Sequence, residues 1–152
     1  MQIQQIPIFV PLAVGSAAIL CTILIHAMPL AGTLWFVRRE KTLGRTGRSF
    51  WRDMRIVVFV ILFAMTAHLI EIALWAIIFL FCGEFSDIGT AYYHSAVNFT
   101  TLGYGDVLLS PRWRMLGPLE AGNGMLMFGV STAMVFTVIL RLAQTRFVDL
   151  RE

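Results

Sequence analysis

From residue 100 to residue 106 the chain reads Thr-Thr-Leu-Gly-Tyr-Gly-Asp. The chemistry open to such a run lies in its main chain. Successive backbone carbonyls aimed at one axis can replace the water shell of a cation at little net cost. Pointing them the same way requires alternating backbone conformations, some with φ above zero. Gly103 and Gly105 adopt those without a Cβ clash. Thr101 can add its hydroxyl as the innermost ligand, while Leu102 and Tyr104 turn their side chains backward and brace the strand. A second group of chemically able residues sits inside apolar runs. His68 and Glu71 are one helical turn apart and share a face, and His26 falls at a similar depth in another run. Ionisable groups at membrane depth are costly and face protein. The favoured reading is a buried, hydrogen-bonded His26–His68–Glu71 brace. Proton sensing by the imidazoles and a metal site with a speculative third ligand are the alternatives. No Ser/His/Asp set, phosphate loop or CxxC motif accompanies them, so an enzyme is not expected.

The elements that must position these residues are set by composition. Of 152 residues, 58% are hydrophobic and 14% charged, against roughly half and about a quarter in soluble domains. Three runs can cross a bilayer as helices of about 20 apolar residues: 6–37, 56–82 and 115–140. Pro29 is expected to kink or end the first. Cys21 and Cys82 lack metal-ligand spacing and read as small core residues. The start, Met-Gln-Ile-Gln-Gln, has no basic residue, so a cleaved signal peptide is not expected.

Positive charge gives the orientation. Arg38, Arg39, Lys41, Arg45, Arg48, Arg52 and Arg55 cluster between the first two runs, and Arg141, Arg146 and Arg151 follow the third. With three spans these regions share one side, the cytoplasmic one, and the N-terminus lies outside. Phe50, Trp51 and Met54 among the arginines fit either a short helix on the inner surface or a polar linker. Trp35 and Trp113 suit aromatic belts at span ends. No arginine or lysine repeats along the first span, which excludes a charged voltage sensor.

The stretch 88–98 is too short and too polar to span. Backbone at membrane depth must be paired internally or line water. A helix over 87–100, about 20 Å long at 1.5 Å per residue, followed by a glycine-rich strand, meets that demand by re-entering the membrane. Ser86 or Asp87 is its N-cap, and the negative end of its dipole points toward a cation at the membrane centre.

In this context of span, short helix, Thr-Thr-Leu-Gly-Tyr-Gly-Asp and span, residues 56–140 resemble the potassium channel pore family. The family's filter is commonly written TVGYG followed by Asp. The resemblance implies that Thr101, Leu102, Gly103, Tyr104 and Gly105 bind potassium ions, supported by Thr100. It implies that Asp106 sits at the outer mouth, and that Gly124 is the hinge of the pore-lining helix with Gly129 as a second candidate. Val130, Ala133, Met134 and Thr137 would line the inner cavity. The chain departs from the pattern at Leu102, where Val is usual, and at Val97, where some members place a Glu paired with the filter Asp. Tyr93 matches an aromatic that takes over that pairing. His94 and Asn98 fall where the family binds the filter tyrosine, here Tyr104.

The expected architecture is an all-α membrane protein of three transmembrane helices, a re-entrant pore helix and an extended filter. It divides into an N-terminal extra helix (1–37), a basic cytoplasmic linker (38–55), a pore domain (56–142) and a short tail (143–152). One re-entrant loop per chain implies a homotetramer. The expected setting is the cell membrane, with potassium as permeant ion, lipid and three identical subunits as partners, and neither cofactor nor nucleic acid. The alternatives are a weakly selective cation channel and a non-conducting potassium-sensing or accessory subunit.

Overall fold

A computed structural model of the chain describes residues 8–44 and 49–148. Four helices follow one another: α1 (Phe9–Thr42), α2 (Phe50–Phe81), α3 (Ile88–Phe99) and α4 (Leu116–Val148). Among the described residues there is no strand. The protein is an all-α membrane protein in which α1, α2 and α4 are long and apolar enough to cross a bilayer.

The first helix packs through small and polar residues. Its buried side is Pro11, Gly15, Ala18, Thr22, His26, Pro29 and Thr33, spaced by three or four. Its large apolar residues, such as Leu20, Leu24 and Met28, point outward. Lipid supplies no hydrophobic force between helices, so close backbone approach and interhelical hydrogen bonds hold them. A Cβ on Gly15 would press on Leu119 Cδ1 at 2.5 Å. Cys21 is exposed, which corrects its assignment to the core: it lies off the buried stripe.

Pro29 does not end α1, which runs 13 residues further to Thr42. Proline is tolerated in spanning helices where packing compensates the lost hydrogen bond, and Pro29 is itself buried on the packed face. The basic stretch is also more helical than a linker. Arg38, Arg39 and Lys41 belong to α1, and Arg52 and Arg55 to α2. Phe50, Trp51 and Met54 form the first turns of α2 itself, not a separate surface helix; arginine is a good helix former, so nothing stops the spanning helix from extending. Arg45, Arg48 and Arg151 lie outside the described residues.

Two apolar clusters join the helices. One gathers Trp75, Phe79, Phe99 and Leu116 and seats α3 between α2 and α4. The other joins Ile56, Val60 and Ala64 of α2 to Met134, Val138 and Leu142 of α4. Met134 therefore faces the core, which corrects its placement beside Val130, Ala133 and Thr137; those three are exposed on α4. The short helix α3 has 12 residues, about 18 Å at 1.5 Å per residue, so it reaches partway through a layer about 30 Å thick.

Candidate functional site

The Asp87 carboxylate accepts from the Thr90 amide at 2.8 Å, capping α3 at one end. At the other end the chain leaves the helix by folding back under it. The amide of Thr101 donates to Asn98 O at 2.9 Å, that of Leu102 to Val97 O at 2.9 Å, and that of Gly103 to the same oxygen at 3.3 Å. The N–H groups of this segment are thus tied to the helix end. Among the described residues, no hydrogen bond ends on the carbonyls of Thr101, Leu102, Gly103, Tyr104 or Gly105.

Backbone φ alternates in sign along the segment. It is positive at Thr101 (61°), Gly103 (59°) and Gly105 (75°), and at neither Leu102 nor Tyr104. That alternation turns successive peptide planes so that N–H groups gather on one side and carbonyls on the other. The glycines take it freely. Thr101 does so at a cost, as a β-branched residue in left-handed space, and sequence reasoning had looked only to the glycines.

The chain beyond Gly105 is anchored from behind. Tyr93 Oη donates to Asp106 Oδ2 at 2.7 Å. This hydrogen bond holds the Asp106 carboxyl below the usual carboxylate range and raises the Tyr93 phenol above its own. His94 Nδ1 lies 3.1 Å from Val107 O. A carbonyl only accepts, so Nδ1 carries the hydrogen, and Nε2 then accepts from Asn98 Nδ2 at 2.8 Å. Burial pushes the His94 imidazole down, in keeping with this neutral form. Within one chain His94 and Asn98 hold each other and Val107, and neither bonds Tyr104, which is 67% exposed. Thr100 Oγ1 donates to Ala96 O at 2.7 Å, and Val97 is buried. A further clamp went unread in the sequence: Glu84 accepts from both the amide and the hydroxyl of Ser110, each at 2.6 Å.

Helix α4 lies against this assembly. Gly124 meets the end of α3, where a Cβ would collide with the Phe99 carbonyl, whereas Gly129 has open space around it. Glu120, fully buried, reaches Ser95 Oγ at 2.5 Å, and Ser95 Oγ also lies 2.8 Å from Ile72 O. Asn123 accepts from Thr22 of α1 at 3.1 Å. The sequence signals for Glu120 and Asn123 were their polarity within an apolar run.

His26, His68 and Glu71 come together between α1, α2 and α4. Glu71 Oε1 lies 2.9 Å from His26 Nδ1, and Oε2 3.1 Å from His68 Nδ1. Ser131 of α4, which sequence reasoning did not single out, closes the figure with its hydroxyl 3.1 Å from Nε2 of each imidazole.

A family model described as "Ion channel" matches residues 55–141, the stretch from the start of α2 almost to the end of α4. No curated protein and no solved structure matches the chain. The matched stretch contains α3 and the segment of alternating φ between two membrane-crossing helices, and it covers more than half of the sequence. The chain is a multi-pass membrane protein and belongs to the ion channel family.

Proposed function

We propose that the protein is a potassium-selective channel subunit, that residues 101–105 are its filter, and that four chains close the ring. The observation that carries this reading is the alternation of φ at Thr101, Gly103 and Gly105, joined to carbonyls left without internal partners. A backbone so arranged offers a column of oxygens to dehydrated cations, and the C-terminal end of α3 adds its negative dipole at the base of that column. One chain supplies only one such column. The segment 101–106 is exposed in the single subunit, as expected of a surface that meets ions on one side and neighbouring copies on the other.

The roles of His94 and Asn98 are read in the same frame. They line a groove of about 350 Å³ with Thr101, Gly103, Leu109 and Arg114. In the proposed tetramer Tyr104 of an adjacent copy fills it. Orientation follows the arginine-rich helix ends, with the C-terminus cytoplasmic. Leu102 changes a side chain and leaves its carbonyl in place, so selectivity for potassium is retained.

Purified protein in liposomes tests the reading. The expected result is barium-sensitive potassium flux far above sodium flux, and a reversal potential that follows the potassium gradient. Equal potassium and sodium fluxes would make it a weakly selective cation channel, and absence of flux from a folded tetramer a non-conducting subunit.

A further inference from the structure

The contacts among His26, Glu71, His68 and Ser131 close into a ring of four. Each contact joins two electronegative atoms and needs one hydrogen between them, so the ring holds four. Two arrangements supply that number together with the Ser131 hydroxyl, a Glu71 carboxylate with one imidazolium and one neutral imidazole or a protonated Glu71 with two neutral imidazoles, and both sum to zero charge. The ring is buried in all four members, and it ties α1 to both α2 and α4.

We propose that His26, His68 and Glu71 form a binding site for one zinc-class divalent cation, with Ser131 orienting both imidazoles. The donor atoms of the three residues all lie within 4.8 Å of one another. The two nitrogen–oxygen edges, 2.9 Å to Oε1 and 3.1 Å to Oε2 of Glu71, are somewhat shorter than the roughly 3.3–3.6 Å between tetrahedral ligands held about 2.0–2.2 Å from zinc, so the ligands open slightly around the cation. Two imidazoles and a carboxylate suit zinc and its transition-metal neighbours, whereas magnesium and calcium prefer oxygen throughout. The cation takes both Nδ1 atoms and the carboxylate, with a water as its fourth ligand. Both Nε2–H groups then donate to the Ser131 hydroxyl oxygen, which has two lone pairs for them. Such outer hydrogen bonds fix the imidazole tautomer in metal sites.

The hydrogen count gives the stoichiometry of exchange. Three hydrogens remain on the Nε2 and Oγ atoms after the cation enters, so one proton leaves and the site becomes singly positive. A groove of about 390 Å³ between α2 and α4 reaches two members of the ring, His68 and Ser131, and is lined beside them by Ala64, Met65, Phe128 and Thr132. Occupied, the site locks α1 to α2 through the cation, with Ser131 of α4 held to both imidazoles. The inference rests on the packing of three helices and holds whichever ion the Thr101–Asp106 segment passes.

The test uses the full chain in detergent, stripped by chelation and then titrated with Zn²⁺ or Co²⁺. One cation per chain is expected, with the visible absorption of tetrahedral cobalt and release of one proton. His26→Gln and Glu71→Gln should weaken binding about tenfold or more, and Ser131→Ala by about 10- to 100-fold. Should the variants fail to fold, the cobalt spectrum of the unaltered protein decides. An octahedral spectrum, binding below one cation per chain, or unchanged affinity in a folded His26→Gln protein overturns the proposal.

Discussion

Gly124 sits directly beneath the carbonyl oxygen of Phe99, with no room for a Cβ between them. The last residue of α3 rests on α4 at this point, so glycine at 124 has a packing reason besides any hinge role. Gly124→Ala should lower stability by about 1–3 kcal/mol, the usual range for overpacking. Gly129→Ala meets nothing within reach and should be neutral or gain up to about 1 kcal/mol from helix propensity. Thermal unfolding in detergent compares the two. Equal melting points would show that α3 does not bear on Gly124.

The Tyr93–Asp106 hydrogen bond predicts a pH response. Tyr93 favours the ionised carboxylate, so Asp106 stays charged below the usual carboxylate pH. The stability it lends is present above the unfolded-state pKa of about 4 and is lost as pH falls through the lowered folded value. External acidification from neutrality to pH 5 should therefore leave single-channel open times unchanged. In Tyr93→Phe the decline should begin at higher external pH than in the unaltered channel. An identical acid profile in both proteins would exclude Tyr93 as the partner that matters.

Much of this arrangement was legible in the sequence, because its causes are local. A capped half-length helix and glycines at alternate positions declare themselves in the residues from Asp87 to Gly105. So do three runs of apolar residues. The buried face of α1 was less legible, since its stripe of Gly15, Ala18, Thr22 and Thr33 inverts the pattern that marks a buried face in water. Ser131 and Glu120 were missed for another reason. Their partners lie on other helices, 105 residues away for Ser131 and His26 and 25 for Glu120 and Ser95; polarity within an apolar run marks Glu120, but nothing local tells what either residue meets. Met134 and Phe50 show the remaining limit: an apolar residue near a helix end or a polar neighbour can face core, lipid or surface, and only packing chooses.

Thr101 combines a hydroxyl with a left-handed backbone. Left-handed geometry costs about 1–2 kcal/mol for a residue with a Cβ. Thr101→Gly should remove that strain and raise stability by about this amount, while removing the innermost side-chain ligand of the proposed filter. Thr101→Ser keeps the hydroxyl. Melting curves and bi-ionic reversal potentials should therefore separate: the glycine variant melts higher and discriminates potassium from sodium less, and the serine variant keeps its discrimination. A glycine variant with undiminished selectivity would show that the hydroxyl takes no part in ion binding.

Ser95 makes a sharper demand on Glu120. Its hydroxyl faces two acceptors, Ile72 O at 2.8 Å and Glu120 Oε1 at 2.5 Å, and has one hydrogen to give. The second contact is completed by a hydrogen on Glu120, so the side chain acts there as a donor. A carboxamide can donate in the same place, and Glu120→Gln should fold with nearly unchanged stability. Glu120→Leu leaves Ser95 without that partner, and Ser95→Ala strips both Ile72 O and Glu120. Each should cost about 1–3 kcal/mol, the penalty for an unsatisfied buried polar group. Thermal melts of the three proteins rank the effects, and a glutamine variant as damaged as the leucine one would mean that Glu120 is held as a carboxylate.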